Sequence, residues 1–251
     1  MRTSEVAGTL RSIVSQIRAA RSLREAAILL RRSALAAGLT HVAVVMDASH
    51  PDAPTDEHGE SLVELLGWPK PFIDEWLERN YSARSAAALR ARLEHLPFAW
   101  SVSSAPEGAG LDAALLSQGI TAGVMAPVRL PRGRFGLVSW LGPRDRAAVE
   151  ALVEENGPEF LLLAHYYLEL VRERRDPPPV VEDLARLSPR ELECLTLLAK
   201  GASDAEAGAA LGLTARTVRF HVGNGAEKLG ARSRTHAVAL ATQLGILGPI
   251  F

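Results

Sequence analysis

The chain has 251 residues, of which 47% are hydrophobic and 23% charged, and its formal net charge is −1. This length holds one medium and one small domain, each with its own core, and a charge near zero excludes a uniformly basic nucleic-acid-binding surface. No apolar run reaches the roughly 20 residues of a membrane span, and the arginine-containing amino terminus lacks the apolar core of a secretory signal. We therefore expect a two-domain, soluble cytoplasmic protein without a membrane partner.

The first 174 residues combine helical and strand patterns. Apolar residues at helical spacing predict two amphipathic helices that end at Gly38, and a β-branched strand follows at 41–48. The segment SLVELLGW, at 61–68, is typical of a second strand, although its length also allows a helix. The remaining predictions, in chain order, are a continuous or broken helix at 71–96, a strand at 97–102, a helix at 110–119, two strands within 123–142 and a long helix at 147–174.

A proline-rich segment, RRDPPPVVED, ends the long helix. Three successive prolines supply no backbone N–H donors and favour an extended polyproline conformation. We therefore predict a domain at 1–174, a linker at 175–184 and a second domain at 185–251. The single cysteine, Cys194, excludes an internal disulfide and a cysteine-rich zinc site, and its helix-core spacing predicts a packing role.

The second domain begins with clear helix start signals. Ser188 precedes Pro189 and stands three residues before Glu191, which predicts a capping box at the start of the first helix. Ser203 and Thr214 are the predicted caps of the next two helices. The turn between those two helices, GLT, is about three residues long, which is the spacing of a helix-turn-helix.

The third helix of this domain carries the candidate DNA contacts. Its spacing predicts a buried side with Val218, Val222 and Leu229, whereas an exposed arginine can bind guanine and a phenyl ring can contact a thymine methyl group. Between 214 and 235 there are five cations and one acid, but a solvated helix face would also explain this charge. The predicted groove-facing residues are Arg216, Arg219, Phe220 and Gly223, and the predicted phosphate contacts are Thr217, Lys228, Arg232 and Arg234.

The segment LSPRELECLTLLAKGASDAEAGAALGLTARTVRFHVGNGAEKLGARSRTHAV resembles the LuxR-type helix-turn-helix of bacterial transcription factors. This resemblance implies that the third helix enters the major groove of double-stranded DNA and that a fourth helix, at 233–244, pairs two modules on a two-fold site. We therefore expect a homodimer, with RNA polymerase as a candidate partner. His221 and Asn224 are implied as groove-side or helix-bracing residues. The matching positions are Glu191, Leu195, Gly201, Leu211, Thr217, Val218, His221, Asn224, Lys228, Leu229, Arg234 and Ala237.

Three small residues depart from the family pattern. Ala207 and Gly225 stand where the family usually has a bulky aliphatic residue, and Gly208 stands where alanine is usual. An interior helical glycine costs about 0.8 to 1 kcal/mol relative to alanine, and lost aliphatic packing adds to this cost. We therefore expect this module to be less stable than its relatives.

The first domain has two candidate types, a phosphorylated receiver and a ligand-binding domain. A receiver begins with a strand and needs a late lysine, whereas this chain begins with a helix and its only lysines are Lys70, Lys200 and Lys228. The segments FIDEWLERNYSARS, LPFAW and QGITAGVMAPVRLPRGRFGLVSW instead resemble the acyl-homoserine lactone binding domain of quorum-sensing LuxR-type receptors. This resemblance implies an α+β domain, with an antiparallel sheet between helix layers, ahead of the all-α four-helix module.

The same resemblance implies a set of ligand contacts. Trp76 matches a tryptophan whose indole N–H meets the lactone carbonyl, and Ser139 matches a hydroxyl that can bond the acyl carbonyl. Tyr81 matches a pocket aromatic, and Trp100 matches a wall beside the lactone ring. A lactone with a fatty tail suits such mostly apolar walls with a few fixed polar groups.

Two polar groups of that family are replaced in this chain. The aspartate that accepts the amide N–H of the ligand falls at Ser85, and a tyrosine falls at Phe72. Each loss removes a hydrogen bond of about 1 to 3 kcal/mol, so standard lactones are expected to bind weakly. Two alternatives follow: a reshaped pocket for a less polar or non-lactone molecule, or a dimerisation scaffold with a packed aromatic core of Trp76, Tyr81, Trp100 and Trp140.

An enzyme finds little support in the sequence. The chain has no glycine-rich phosphate loop, no metal-ligand spacing and no nucleophile elbow. We therefore expect no catalytic residue, no metal and no cofactor besides the candidate small-molecule ligand. The sequence favours a DNA-binding transcriptional regulator, and activation and repression both stay open.

Overall fold

The structure is a computed structural model that describes residues 3–45, 53–79, 81, 85–102, 109–130, 135–175 and 187–247. The chain divides into two compact units, Met1–Arg129 with Phe135–Pro177 and Leu130–Arg134 with Pro178–Phe251. Of the predicted linker, only Arg175 is described, as the last residue of a helix. The predicted domain boundaries therefore stay predictions. The predicted strand residues 46–48, and residues 131–134 within the predicted strand pair at 123–142, also lie outside the described residues.

The first unit is an α+β fold built on one antiparallel sheet. Within the described residues this sheet has four strands in the order β1-β4-β3-β2, and each neighbouring pair is antiparallel. The described part of the predicted 71–96 helix forms two separate helices. The elements are α1 Thr3–Arg18, α2 Leu23–Ala36, β1 His41–Val45, α3 Lys70–Glu78, α4 Ala86–Ala91, β2 Phe98–Ser101, α5 Ala109–Ser117, β3 Ala122–Arg129, β4 Phe135–Gly142 and α6 Arg146–Arg175.

One face of the sheet packs against helices to form the main core of this unit. Trp140 in β4 is fully buried there, with its ring centroid 4.9 Å from that of Phe160 in α6. Its indole N–H donates to the Ser33 hydroxyl of α2 at 2.8 Å, which satisfies two buried polar groups together. Because side chains alternate along a strand, the neighbouring residue Ser139 points to the opposite face.

The predicted strand at 61–68 is wrong. Among these residues only Ser61 forms a bridge, an isolated one to Thr55, and the rest of the segment is turns and coil. Leu62 and Leu66 are both fully buried, and Leu66 N–H donates to the Leu62 carbonyl at 3.1 Å. Apolar residues four apart suit such a helical turn, and Gly67 follows with a φ of 100°, which favours glycine.

The second unit is the predicted helical module. Its helices are α7 Pro189–Ala199, α8 Asp204–Leu211, α9 Ala215–Lys228 and α10 Arg234–Gln243. The capping box of Ser188 and Glu191 is present, Ser203 forms another at α8, and Thr214 caps α9. Cys194 is fully buried in the module core, as its spacing predicts.

The three unusual small residues of the module lie at close contacts between its parts. A Cβ atom at Gly208 would lie 2.7 Å from the Leu213 carbonyl oxygen, so glycine permits α8 to approach the backbone of the turn. At Gly225 the same atom would lie 3.2 Å from Leu195 Cδ1 and 3.4 Å from Leu187 Cδ2. Neighbouring side chains thus occupy the space where a bulkier residue would stand, and Ala207 is fully buried beside them.

Candidate functional sites

The exposed side of α9 presents the predicted groove-facing residues. Arg216, Arg219, Phe220 and Gly223 are all exposed, whereas Val218 and Val222 are buried. Phe220 keeps 63% of its surface in solvent, and its ring meets that of His221 edge-on at 5.8 Å. Two arginines and one phenyl ring therefore lie on the solvent-exposed side of the helix, opposite its buried side. Leu229, predicted to be buried, is half-buried against the module core.

His221, Asn224 and Thr217 lie at the margins of this exposed row, and all three are half-buried. The Thr217 hydroxyl is 2.8 Å from that of Thr214, the cap of α9. This contact joins Thr217 to the helix start. The choice between groove contact and helix bracing stays open for His221 and Asn224.

Lys228 has a structural partner that sequence reasoning did not assign. Its Nζ donates to both carboxylate oxygens of Glu191, at 2.8 and 2.9 Å, and Glu191 is almost fully buried. Burial alone would raise the pKa of Glu191, but the hydrogen bonds from Lys228 and from the Ser188 N–H outweigh it and hold the pKa below its usual value. The pair ties α9 to α7, and the predicted phosphate contact of Lys228 stays a prediction.

Two of the predicted DNA contacts, Arg219 and Arg234, meet at one acid, Asp204. Arg234 Nη2 lies 3.0 Å from Asp204 Oδ1, and Arg219 Nε lies 4.0 Å from Asp204 Oδ2. The sequence analysis assigned no role to Asp204. The contact joins residues 15 and 30 positions apart, and no local motif indicates it. These residues, together with exposed Arg232, line an open cleft of about 460 Å³ between α8, α9 and the start of α10.

Aromatic rings form a connected cluster in the first unit. Trp68 stacks on Phe72, with centroids 4.9 Å apart and planes 11° apart. Phe72 lies 5.9 Å from Trp76, and Trp76 meets Tyr81 edge-on at 5.4 Å. The structure therefore brings together three of the predicted ligand residues, and it adds Trp68, which sequence reasoning missed.

His41 joins this cluster to the sheet. Its ring lies 4.7 Å from that of Trp68, whose indole N–H donates to the Val42 carbonyl at 2.6 Å. Burial, together with the smaller effect of the positive charge of Arg31, lowers the pKa of His41 to about 4. His41 is therefore a neutral ring at physiological pH. The signal for Trp68 was its place four residues before Phe72, one helical turn away.

Strand register places two more predicted ligand residues, Trp100 and Ser139, on the same face of the sheet as His41. Trp100 pairs with Gly123, Gly123 with Leu141 and Leu141 with His41, so these residues share one face. Ser139 lies on that face too, because it is two residues from Leu141.

The hydroxyl of Ser139 points at sulfur. It donates to Met125 Sδ at 2.8 Å, and a thioether is a weak acceptor. Trp140 lies on the opposite face of the sheet. The predicted aromatic core of Trp76, Tyr81, Trp100 and Trp140 is therefore wrong in its inclusion of Trp140.

Ser85 performs a local task in this structure. It is the cap of α4, where its hydroxyl accepts from the Ala88 N–H at 3.3 Å, and it is half-buried. The position therefore presents a neutral capping hydroxyl where the family resemblance implies a carboxylate.

Comparisons with known proteins match both units. Residues 22–170 match the family model described as autoinducer binding domain, and residues 185–241 match that of bacterial regulatory proteins, luxR family. The chain is 31% identical to the transcriptional activator BjaR1 of Bradyrhizobium diazoefficiens, over 77% of this chain and 79% of that protein. It is 30% identical to the quorum sensing-dependent regulator RpaR of Rhodopseudomonas palustris, over 72% of this chain and 73% of that one.

Solved structures show the same fold. SdiA of Escherichia coli superposes on this chain with a TM-score of 0.63 and 20% sequence identity. The superposition covers 96% of this chain and 98% of the SdiA chain. CepR2 of Burkholderia cenocepacia superposes with a TM-score of 0.55 at 12% identity, over 66% of this chain and 98% of its own. The chain thus belongs to the LuxR family of bacterial transcriptional regulators, in the group that carries an autoinducer binding domain ahead of the helix-turn-helix.

Membrane-spanning helices and metal clusters are both absent from the described residues. No helix within those ranges is long and apolar enough to cross a membrane. The same residues contain no group of three or more His, Cys, Asp or Glu side chains that could hold a metal ion.

Proposed function

We propose that this LuxR-family regulator binds a two-fold symmetric DNA operator as a homodimer, with α9 in the major groove. The observation that carries the proposal is the exposed row of Arg216, Arg219 and Phe220 above the buried side of α9. Arginine is suited to guanine, and the phenyl ring is suited to a thymine methyl group. A dimer would place its two reading helices in major grooves about 34 to 36 Å apart, so the half-sites would be separated by about one helical turn.

The test begins with selection of duplexes from a random library by the full-length protein. Arg219→Ala should weaken binding to the selected duplex by about 1 to 3 kcal/mol, because it removes one bidentate base contact. Arg190→Ala is the matched control, since Arg190 lies on α7 and pairs with Glu193. Equal affinity of Arg219→Ala and wild type, measured by fluorescence anisotropy, would remove Arg219 from the reading role.

We further infer that the first unit binds a small molecule on the aromatic face of its sheet. That face combines stacked rings with a few polar groups, which is the usual chemistry of a ligand site. An oxygen atom of a ligand would accept a stronger hydrogen bond from the Ser139 hydroxyl than the Met125 thioether does. The Ser139 hydroxyl would therefore be better satisfied with a ligand bound. One solved structure of SdiA is a complex with octanoyl-rac-glycerol, and CepR2 is described as dependent on N-acylhomoserine lactone.

The ligand that suits this chain best has a carbonyl and an apolar body and does not depend on a carboxylate partner. Ser85 supplies a neutral hydroxyl, and Phe72 stacks on Trp68 without a polar atom. The second candidate is a ligand-independent regulator whose first unit serves only for dimerisation. The close packing of Trp68, Phe72 and Tyr81, each less than 10% exposed, favours that candidate, because a packed cluster supplies its own core.

A further inference from the structure

Asp204 lies where two predicted DNA contacts converge, and it is far more buried than either. Its side chain is 17% exposed, whereas those of Arg219 and Arg234 are 66% and 51% exposed. Arg234 reaches both of its oxygens, with Nη1 donating to Oδ2 at 3.3 Å and Nη2 in ionic contact with Oδ1. One carboxylate therefore faces the recognition helix α9 and the first residue of α10 together.

Asp204 lies where the helix itself favours an acidic side chain. It is the first residue of α8, directly after the cap Ser203, and the amino-terminal end of a helix stabilises an acid. Its buried Oδ1 accepts no hydrogen bond of good geometry, so the contact with Arg234 at that atom is electrostatic. The charge is thus held by the fold, and the two more exposed arginines are drawn to it.

The cleft around Asp204 is open toward solvent and rich in arginine. Its lining contains three cations and two acids, Asp204 and Glu227, so the carboxylate of Asp204 offsets part of the positive charge of the cleft. A Cβ atom at Gly223, in the same lining, would meet nothing within 4 Å. A DNA backbone that approaches α9 would therefore meet these arginines and the shared acid at once.

We propose that Asp204 is a positioning residue that raises the preference of this protein for its operator over other DNA. The inference rests on the proposed role of α9 in reading DNA. Binding to arbitrary DNA depends almost wholly on the neutralisation of phosphates. A carboxylate 3.0 to 4.0 Å from two guanidinium groups weakens that attraction for every sequence.

The same carboxylate supports the specific complex by ordering the arginines. Asp204 meets Arg219 at Nε, so Arg219 can keep this contact while its terminal amino groups bind guanine. A side chain that is already oriented loses less conformational entropy on binding. The negative charge of Asp204 therefore lowers the affinity for all DNA. Its ordering of Arg219 raises the affinity only for DNA in which Arg219 contacts its base.

The test compares two duplexes, one selected from a random library by the full-length wild-type protein and one with the same bases scrambled. Asp204→Asn keeps the shape of the side chain and removes its charge. We expect it to bind the scrambled duplex about three- to tenfold more tightly, with a steeper salt dependence. Its affinity for the selected duplex should change less, so the ratio of the two affinities falls.

Glu193→Gln is the matched control, because it also removes one negative charge from the module but from an exposed pair with Arg190 on α7. It should leave the ratio at the wild-type value. Far-UV circular dichroism checks the fold, and Asp204→Ser gives the same readout should Asp204→Asn unfold.

Any of the following outcomes would overturn the inference. If Asp204→Asn gains affinity equally for both duplexes, Asp204 acts only through its charge and has no effect on specificity. If the ratio of its two affinities equals that of Glu193→Gln, Asp204 has no special role in specificity. A wild-type protein that selects no duplex would defeat the proposed function, and this inference with it. Wild-type preference combined with an unchanged ratio in Asp204→Asn would defeat this inference alone.

Discussion

Ser85 links the helix cap of α4 to the chemistry of the candidate ligand site. The Ser85 hydroxyl oxygen caps the helix by accepting a hydrogen bond from the Ala88 N–H. Aspartate and asparagine cap a helix about as well as serine. Substitution at this position can therefore change the charge without loss of the cap. Only aspartate would add an ionised oxygen able to accept a ligand amide N–H.

We predict that wild type binds N-octanoyl-homoserine lactone weakly and that Ser85→Asp binds it about five- to 100-fold more tightly, through one added charge-assisted hydrogen bond. Ser85→Asn, which keeps the cap but stays neutral, is the matched control and should resemble wild type. Isothermal titration calorimetry measures all three. Submicromolar binding by wild type would refute the prediction, as would equal binding by the Asp and Asn variants.

Single residues also show which contacts the sequence could indicate. The capping role of Glu191 follows from its spacing after Ser188, because both partners lie within four residues. Its ion pair with Lys228 crosses 37 residues and depends on how α9 packs on α7. Trp68 was missed for a different reason: it lies only four residues from Phe72, but the segment before it was predicted as a strand and is a turn.

At the scale of elements, small residues allow the helices of the module to approach closely. Gly208 leaves room for the carbonyl oxygen of Leu213. This oxygen belongs to the backbone, so it can shift only if the whole turn between α8 and α9 shifts. Gly225 instead faces the ends of the Leu195 and Leu187 side chains, which can shift by a few tenths of an ångström. The two glycines should therefore respond differently to the same added methyl group.

We predict that Gly208→Ala lowers the free energy of unfolding of the module by about 1 to 3 kcal/mol, because the methyl group overpacks the turn. Gly225→Ala should change it by less than about 1 kcal/mol, since the gain in helix propensity offsets the tighter contact. Urea titrations followed by far-UV circular dichroism measure both variants. All four tryptophans lie between 68 and 140, so their fluorescence follows the first unit separately. A larger loss for Gly225→Ala than for Gly208→Ala would contradict this account.

Element prediction succeeded where the signals are local. The caps that begin α7, α8 and α9 were readable because each involves residues within one turn. The segment 61–68 failed because a short apolar run suits a strand and a buried turn equally well. Sheet order and register depend on pairings between distant strands. The family resemblance implied only an antiparallel sheet, so the order and the register were not predicted.

At the scale of the whole molecule, the proposed function joins an aromatic face in the first unit to a reading helix in the second. A ligand can change DNA binding only if it binds the DNA-competent state more or less tightly than the alternative state. The sign of that difference decides whether the ligand strengthens or weakens DNA binding. Couplings of this kind typically change affinity about 5- to 150-fold.

The most direct test is to purify the protein from cells grown with and without acyl-homoserine lactones, extract each preparation for mass spectrometry, and titrate both with the selected duplex. The account predicts a stoichiometric small molecule in at least one preparation and a difference in DNA affinity that follows its presence. An empty protein that binds the duplex equally well in both preparations would contradict ligand control and would make the first unit a dimerisation scaffold.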